Sequence, residues 1–282
     1  VKNYHVKAVA DPVEADVCDD SFDRLRGQLP SPQTAPTTVG WWTRTSQTQH
    51  LVDAADFKPT GLQSGRNEFT WHVKRGVCED ATNVVINYNK VTTPNAGEDQ
   101  YICSPNVILS ATPPVDGVGF WRATTSGNNT KIVSSLDPNT QVTGLQQGVN
   151  SFEWVVQNNG KCEKTDEVNI YYIPVDANAG PDLQVCEPTA TLDGTGHNVY
   201  GSVPNIRIET EWTRLGNVVG GDGIDDKDSP RTEVKNLLLG KNTFAYTIKV
   251  IADANVGNMR KDDLICQSTD LVDIYNDSPG PA

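Results

Sequence analysis

Residues 150–172, N-S-F-E-W-V-V-Q-N-N-G-K-C-E-K-T-D-E-V-N-I-Y-Y, constrain the fold more than any other stretch. Phe152, Trp154 and Val156 alternate with Ser151, Glu153 and Gln157, Asn159-Gly160 supplies a turn, and Val168, Ile170 and Tyr172 resume the two-residue period. That pattern is a β-hairpin with one apolar face. It recurs over residues 67–88, with Phe69, Trp71, Val73, Cys78, Val84 and Ile86, and over residues 242–275, with Phe244, Tyr246, Ile248, Cys266, Val272 and Ile274. A lone hairpin cannot hide its apolar face, so each copy requires a second sheet drawn from the residues before it.

The 282 residues therefore divide into three repeats. The spacing places them at 1–91, 92–174 and 175–282, the last with longer loops. Each opens with a preface: Asn95-Ala-Gly-Glu-Asp-Gln-Tyr-Ile-Cys103 matches Asn178-Ala-Gly-Pro-Asp-Leu-Gln-Val-Cys186, and Ala10-Asp-Pro-Val-Glu-Ala-Asp-Val-Cys18 is a looser version. A strand centred on Trp42, Trp121 or Trp212 follows, then a turn at Gly65, Gly148 or Gly240, then the hairpin. About seven strands per repeat around a central Trp predict an all-β chain of three tandem immunoglobulin-like sandwiches. Short connectors containing Pro predict an extended, semi-stiff array.

The formal charge of -13 opposes binding to nucleic acid and anionic lipid. No apolar run approaches the ~20 residues that a membrane-spanning helix needs, so direct membrane insertion is not expected. Twenty-three Gly and 17 Pro suit strands and turns, and no helical period of useful length is present. Residues 1–6 resemble the last strand of a preceding repeat, and the stretch from Asn276 onward resembles another connector, which suggests a piece of a longer array.

The six cysteines recur with the repeats. One pair per repeat, Cys18 with Cys78, Cys103 with Cys162 and Cys186 with Cys266, is the expected pairing among 15. Each bond would stabilise its repeat by about 4 kcal/mol on the chain-entropy model. The bonds would place the protein outside the reducing cytosol. Reduced core cysteines are the bland alternative, and the absence of C-x-x-C or C-x-x-H opposes zinc.

No catalytic constellation is visible. His5, His50, His72 and His197 read as surface histidines, with no G-x-S-x-G or H-E-x-x-H near them, so the chain is read as non-enzymatic. No cofactor is expected. The acidic loop with Asp222, Asp225, Asp226 and Asp228 is a weak calcium candidate, because it lacks EF-hand spacing and a solvated loop explains it as well. Asp99 and Asp182 read as turn caps. Trp41, Phe120 and Glu211 alternate with the three core tryptophans and face outward, so Trp41 and Phe120 are candidates for stacking on a sugar or a partner. Covering by a neighbouring loop is the alternative for them. Asn255, Asn258, Arg260 and Lys261 lie on a long loop, 252–263, that either carries recognition or is idle.

The pattern A-G-x-D-x-x-x-C, a Gly-x-Trp strand, G-L-x-x-G-x-N-x-F-x-W-x-V, N-G-x-C and D-x-V-x-I resembles the tandem immunoglobulin-like (PKD-like) repeats of very large Bacteroidota surface proteins, including SprB-like gliding-motility adhesins. The resemblance spans essentially the whole chain and is fullest in the second repeat. It implies type IX secretion, display on the surface of a Gram-negative cell, and attachment to polysaccharide or substratum during gliding. The neighbouring repeats of the same chain are the other implied partners. Similar repeats also serve as spacers, so a carbohydrate-binding or spacer region of a secreted hydrolase is the alternative.

Overall fold

In a computed structural model the residues described are 6–31, 38–45, 49–196, 203–216, 221–255, 257 and 259–278. They hold strands and turns and no helix, hence no helix long and apolar enough to cross a membrane. The first repeat supplies β1 (Val9–Asp11), β2 (Glu14–Val17), β3 (Leu25–Gln28), β4 (Thr38–Arg44), β5 (Gln49–Val52), β6 (Asp56–Phe57), β7 (Gly65–Arg75) and β8 (Cys78–Tyr88). The second supplies β9 (Gln100–Ile102), β10 (Val107–Ile108), β11 (Val118–Thr125), β12 (Lys131–Ile132), β13 (Gln141–Thr143), β14 (Gly148–Asn158) and β15 (Cys162–Tyr172). The third supplies β16 (Leu183–Val185), β17 (Ala190–Asp193), β18 (Ile206–Leu215), β19 (Arg231–Val234), β20 (Gly240–Ala252) and β21 (Leu264–Asn276).

Each repeat is a pair of sheets. In the first, β2-β8-β7-β4-β5 packs on β1-β3-β6; in the second the orders are β11-β14-β15-β9 and β10-β13-β12; in the third they are β16-β21-β20-β18 and β17-β19. The three predicted hairpins are β7–β8, β14–β15 and β20–β21, and their alternating apolar residues are the ones buried: Phe69, Trp71, Phe152, Trp154, Phe244 and Tyr246 are all fully enclosed. The core of the first repeat gathers Ala10, Leu25, Trp42, Trp71 and Ile86 from both sheets, and that of the third gathers Leu192, Trp212, Val234, Tyr246 and Ile274. Burying the apolar faces of the paired sheets against each other is the dominant favourable term for such a chain.

The preface strand runs parallel to the second hairpin strand in every repeat. Val17 pairs with Tyr88, Ile102 with Tyr172, and Val185 with Asn276. The Asp in the preface completes this edge: Asp99 Oδ1 accepts from the backbone N–H of Asn169 at 2.8 Å, and Asp182 Oδ1 from that of Asp273 at 2.9 Å. These aspartates therefore cap the neighbouring hairpin strand and not their own turn, because the parallel ladder leaves that N–H unpaired.

The same parallel pairing overturns the expected disulfides. Cys18 follows Val17 at the Tyr88 end of β8, whereas Cys78 opens β8 at its other end. Ten strand residues at about 3.3 Å each put the two roughly 33 Å apart, far beyond disulfide reach. Cys103 and Cys186 stand in the same relation to Cys162 and Cys266, so none of the pairs Cys18 with Cys78, Cys103 with Cys162 or Cys186 with Cys266 forms. The bonds instead link each preface to the hairpin of the following repeat: Cys18 to Cys162 with Cα atoms 5.5 Å apart, and Cys103 to Cys266 with Cα atoms 5.7 Å apart. Cys78 and Cys186 are free and exposed. The regular spacing fits this shifted scheme as well as the unshifted one, and strand length decides between them.

The chain separates into two compact units, one comprising 1–95, 112–120 and 154–166, the other 96–111, 121–153 and 167–282. The tip of the second hairpin belongs to the first unit because it is fastened there. Besides the Cys18–Cys162 bond, Asn158 Nδ2 donates to Lys90 O at 2.8 Å, Asn159 Nδ2 donates to Asn89 Oδ1 at 3.0 Å, and Lys161 Nζ lies 3.5 Å from Asp16. Within the second unit, Ile173, Val203, Val250 and Cys266 form an apolar cluster bordered by Tyr101, Tyr171 and Ile265. Tyr101 stacks on Tyr171 at 4.6 Å, and burial raises the pKa of both phenols.

Candidate functional site

Positions that face inward repeat, and positions that face outward diverge. Inside, the central tryptophan of each repeat is anchored alike: Trp42 Nε1 donates to Ala55 O, Trp121 Nε1 to Pro138 O and Trp212 Nε1 to Pro230 O, at 3.0 to 3.2 Å. The glycine two residues earlier makes room for the hairpin indole. A Cβ on Gly40 would stand 2.4 Å from Trp71, and one on Gly119 2.2 Å from Trp154. The third repeat has Thr210 in that position, across from Ile248, and the smaller ring of Tyr246 in place of the hairpin indole, across from Trp212.

At the entry of each hairpin an asparagine locks the preceding turn. Asn67, Asn150 and Asn242 are buried; each accepts through Oδ1 from a backbone N–H four residues earlier and donates through Nδ2 to carbonyls on the turn and on the partner strand. The motif N-x-F visible in the sequence carries this role, though composition alone does not reveal it. In the third repeat the Asn242 Oδ1 also receives Nη2 of buried Arg214 at 2.6 Å, and burial lowers the pKa of that guanidinium.

Outside, Trp41 is half-buried and pairs across β4 and β7 with His72. The two rings stack with centroids 5.0 Å apart and planes 5° from parallel, and the His50 ring lies 6.5 Å from the indole. His72 Nε2 is 3.0 Å from Thr43 Oγ1, and His50 Nε2 is 2.7 Å from Asp53. His72 is thus one layer of a stack, while one face of Trp41 is taken up by it. Phe120 is half-buried at the equivalent place in the second repeat. In the third repeat that place holds Glu211, whose carboxylate accepts from Lys249 Nζ at 2.7 Å and raises the lysine pKa. His5 and His197 lie outside the described residues.

The structure does not bring Asp222, Asp225, Asp226 and Asp228 together as a ligand cage. Asp222 pairs with Lys227, which holds its carboxyl below the usual range; Asp225 accepts from Lys235 Nζ at 2.6 Å; and Asp226 Oδ1 accepts from the Asp228 backbone N–H at 3.1 Å. Among the described residues no group of three His, Cys, Asp or Glu is arranged to hold a metal ion. The long loop 252–263 folds on itself, with Lys261 N donating to Asn255 Oδ1 at 3.0 Å and Arg260 N to Asp263 Oδ2 at 2.7 Å. Asp262 holds it to Arg207 at 2.9 Å, and Gly257 lies against the carbonyl of Asp99. Asn255, Arg260 and Lys261 are exposed on this braced loop, while Asn258 lies outside the described residues. Met259 and Asp263 close a cleft of about 560 Å³ with Glu98, Asp99 and Tyr101.

The two disulfides and the two free thiols are the most regular chemistry in the molecule. At both formed joints a preface cysteine is exposed, whereas the hairpin cysteine it meets is covered, with Cys162 and Cys266 only 2% and 3% exposed.

No protein-family model matches the chain, and no curated protein matches it. Among solved structures, a three-domain segment of titin (I67–I69, an E-to-A mutated variant) is similar over 96% of this chain and 99% of that one, at 9% identity and a TM-score of 0.46. Extracellular domains 3–5 of Drosophila OTK are similar over 96% and 97%, at 10% identity and a TM-score of 0.31. The insect immune protein hemolin is similar over 97% and 77%, at 12% identity and a TM-score of 0.34. The architecture described above rests on this chain's own strands and cores.

Proposed function

We propose that the chain is a non-enzymatic segment of a repetitive extracellular adhesin whose three sandwiches are a stalk and adhesion region. The observation that carries this reading is that each disulfide joins one repeat to the next. Pulling on such a chain loads a covalent bond before it loads a hydrogen-bonded joint, and disulfides of this kind persist in oxidising compartments. Weak contacts on successive repeats would then sum along the array. The sequence resemblance extends the reading to surface attachment and gliding motility of a Gram-negative cell with type IX secretion. The test is retention under flow of beads coated with the chain, on glass and on polysaccharide films. Retention no greater than that of albumin-coated beads would remove the adhesive role.

The alternative of a carbohydrate-binding or spacer region of a secreted hydrolase keeps one specific support, the Trp41–His72 stack on an outward sheet face. Its test is glycan-array binding, which Trp41→Ala should abolish if the indole is the sugar platform.

A further inference from the structure

We propose that Cys78 and Cys186 are each one half of a joint of the kind already formed twice, and that a second copy of this chain can supply the missing half, head to tail. This goes beyond the adhesive reading and does not depend on it.

The preface half is built at Cys186. Cys18 and Cys103 each follow a residue whose carbonyl accepts from the chain just beyond the hairpin: Asn89 N donates to Val17 O at 2.9 Å, and Ile173 N to Ile102 O at 2.8 Å. Asp277 N donates to Val185 O at 2.8 Å in the same way, so the backbone presents Cys186 as it presents the two bonded preface cysteines. Gln184 and Tyr275 pair beside it, as Tyr101 and Tyr171 do beside Cys103.

The hairpin half is built at Cys78, and it is uncovered. Cys78 opens β8 as Cys162 opens β15, yet Cys162 is buried by its joint while Cys78 is exposed. The residue before each hairpin cysteine is part of the docking contact. Lys161 O lies 3.8 Å from Cys18 Sγ, and Ile265 O lies 3.2 Å from Cys103 Sγ, with the Ile265 side chain packed on the Ile173 cluster. Val77 holds that position in the first repeat and is 99% exposed, whereas its apolar counterpart Ile265 is half-buried and its polar counterpart Lys161 is exposed. A bare valine beside a bare thiol on the first repeat and a presented preface thiol on the third are complementary, not self-complementary, surfaces. Such a heterologous contact joins copies head to tail, as a ring where the rotation closes and as an open chain where it does not.

Closure is an exchange with a small-molecule disulfide. The Cys78 thiolate attacks oxidised glutathione, forms a mixed disulfide and releases one glutathione thiolate. The Cys186 thiolate of the next copy then attacks the Cys78 sulfur and expels the second glutathione. Two protein thiols are oxidised, one glutathione disulfide is reduced, and the two thiol protons end on the two glutathiones.

The experiment incubates the full chain in an oxidised glutathione buffer and reads non-reducing gels, with peptide mapping of the links. Wild type should give a ladder that dithiothreitol collapses. Cys78→Ser and Cys186→Ser should each give at least tenfold less oligomer alone, and their equimolar mixture should stop at a dimer joined by Cys78–Cys186. Val77→Asp should slow that dimer at least threefold while leaving both thiols free to react with a maleimide. Monomers carrying only glutathione, or links of Cys78 to Cys78 or Cys186 to Cys186 in place of the mixed bond, would overturn the proposal. Both cysteines are exposed, so the serine variants should fold; an unchanged circular dichroism spectrum and intact Cys18–Cys162 and Cys103–Cys266 peptides verify it.

Discussion

Cys18 is bonded to Cys162 although 144 residues separate them in sequence, and the partner that its own repeat offers, Cys78, sits at the far end of the strand beside it. The bond is therefore a fastening between successive repeats and not a staple within one. A digest without reductant should yield Cys18–Cys162 and Cys103–Cys266 peptides; recovery of a Cys18–Cys78 peptide would contradict the register.

Reduction should loosen the joints before the cores. Loops of 144 and 163 residues correspond to about 5 kcal/mol each on the chain-entropy model, and no disulfide lies inside a sandwich. With reductant, thermal unfolding should move down by several degrees, and amide exchange should quicken first near residues 17–18 and 161–162. Exchange that quickens first in the Trp154 core would place the constraint elsewhere.

Asn150 answers four backbone groups at once, Gln146 N and the carbonyls of Gln146, Gly148 and Ile170. Removing it leaves buried groups without partners, at about 2–3 kcal/mol. Denaturant titration of Asn150→Ala should show that loss, whereas Asn128→Ala, at an exposed site, should stay within about 0.5 kcal/mol of wild type.

Gly119→Ala drives a methyl group into the Trp154 indole, so an overpacking cost of about 1–3 kcal/mol is expected. Adding Trp154→Tyr should return part of it, because the third repeat already combines Thr210 with Tyr246. A double variant less stable than either single change would refute that compensation.

Asp273 Oδ2 receives Lys241 Nζ at 2.7 Å, and Oδ1 receives Thr243 Oγ1 at 2.7 Å, in that order of effect lowering its pKa below the ordinary 3.8. A depressed carboxyl pKa in the folded state adds stability that is full above the unfolded value and is lost as pH falls through the folded one. Asp273→Asn should therefore lower stability at neutral pH slightly and flatten the decline below about pH 4. An acid limb as steep as that of wild type would show that the pair does not couple to folding.

What the sequence determined by itself is the repeated unit. The two-residue period of Phe152, Trp154 and Val156, the turn at Asn159-Gly160 and the recurrence of the central tryptophan are local or periodic signals. They suffice for sheet class and core because side-chain direction along a strand alternates whatever the strand pairs with. What tertiary structure alone decided is the cysteine partnership, the stacking of His72 on one side of the Trp41 indole, and the bracing of Gly257 against Asp99. Each of these joins residues far apart in the chain, and a periodic pattern is unchanged when its copies are paired one repeat out of step. Only the length of the hairpin strand, which holds the two cysteines of a repeat at opposite ends, breaks that degeneracy.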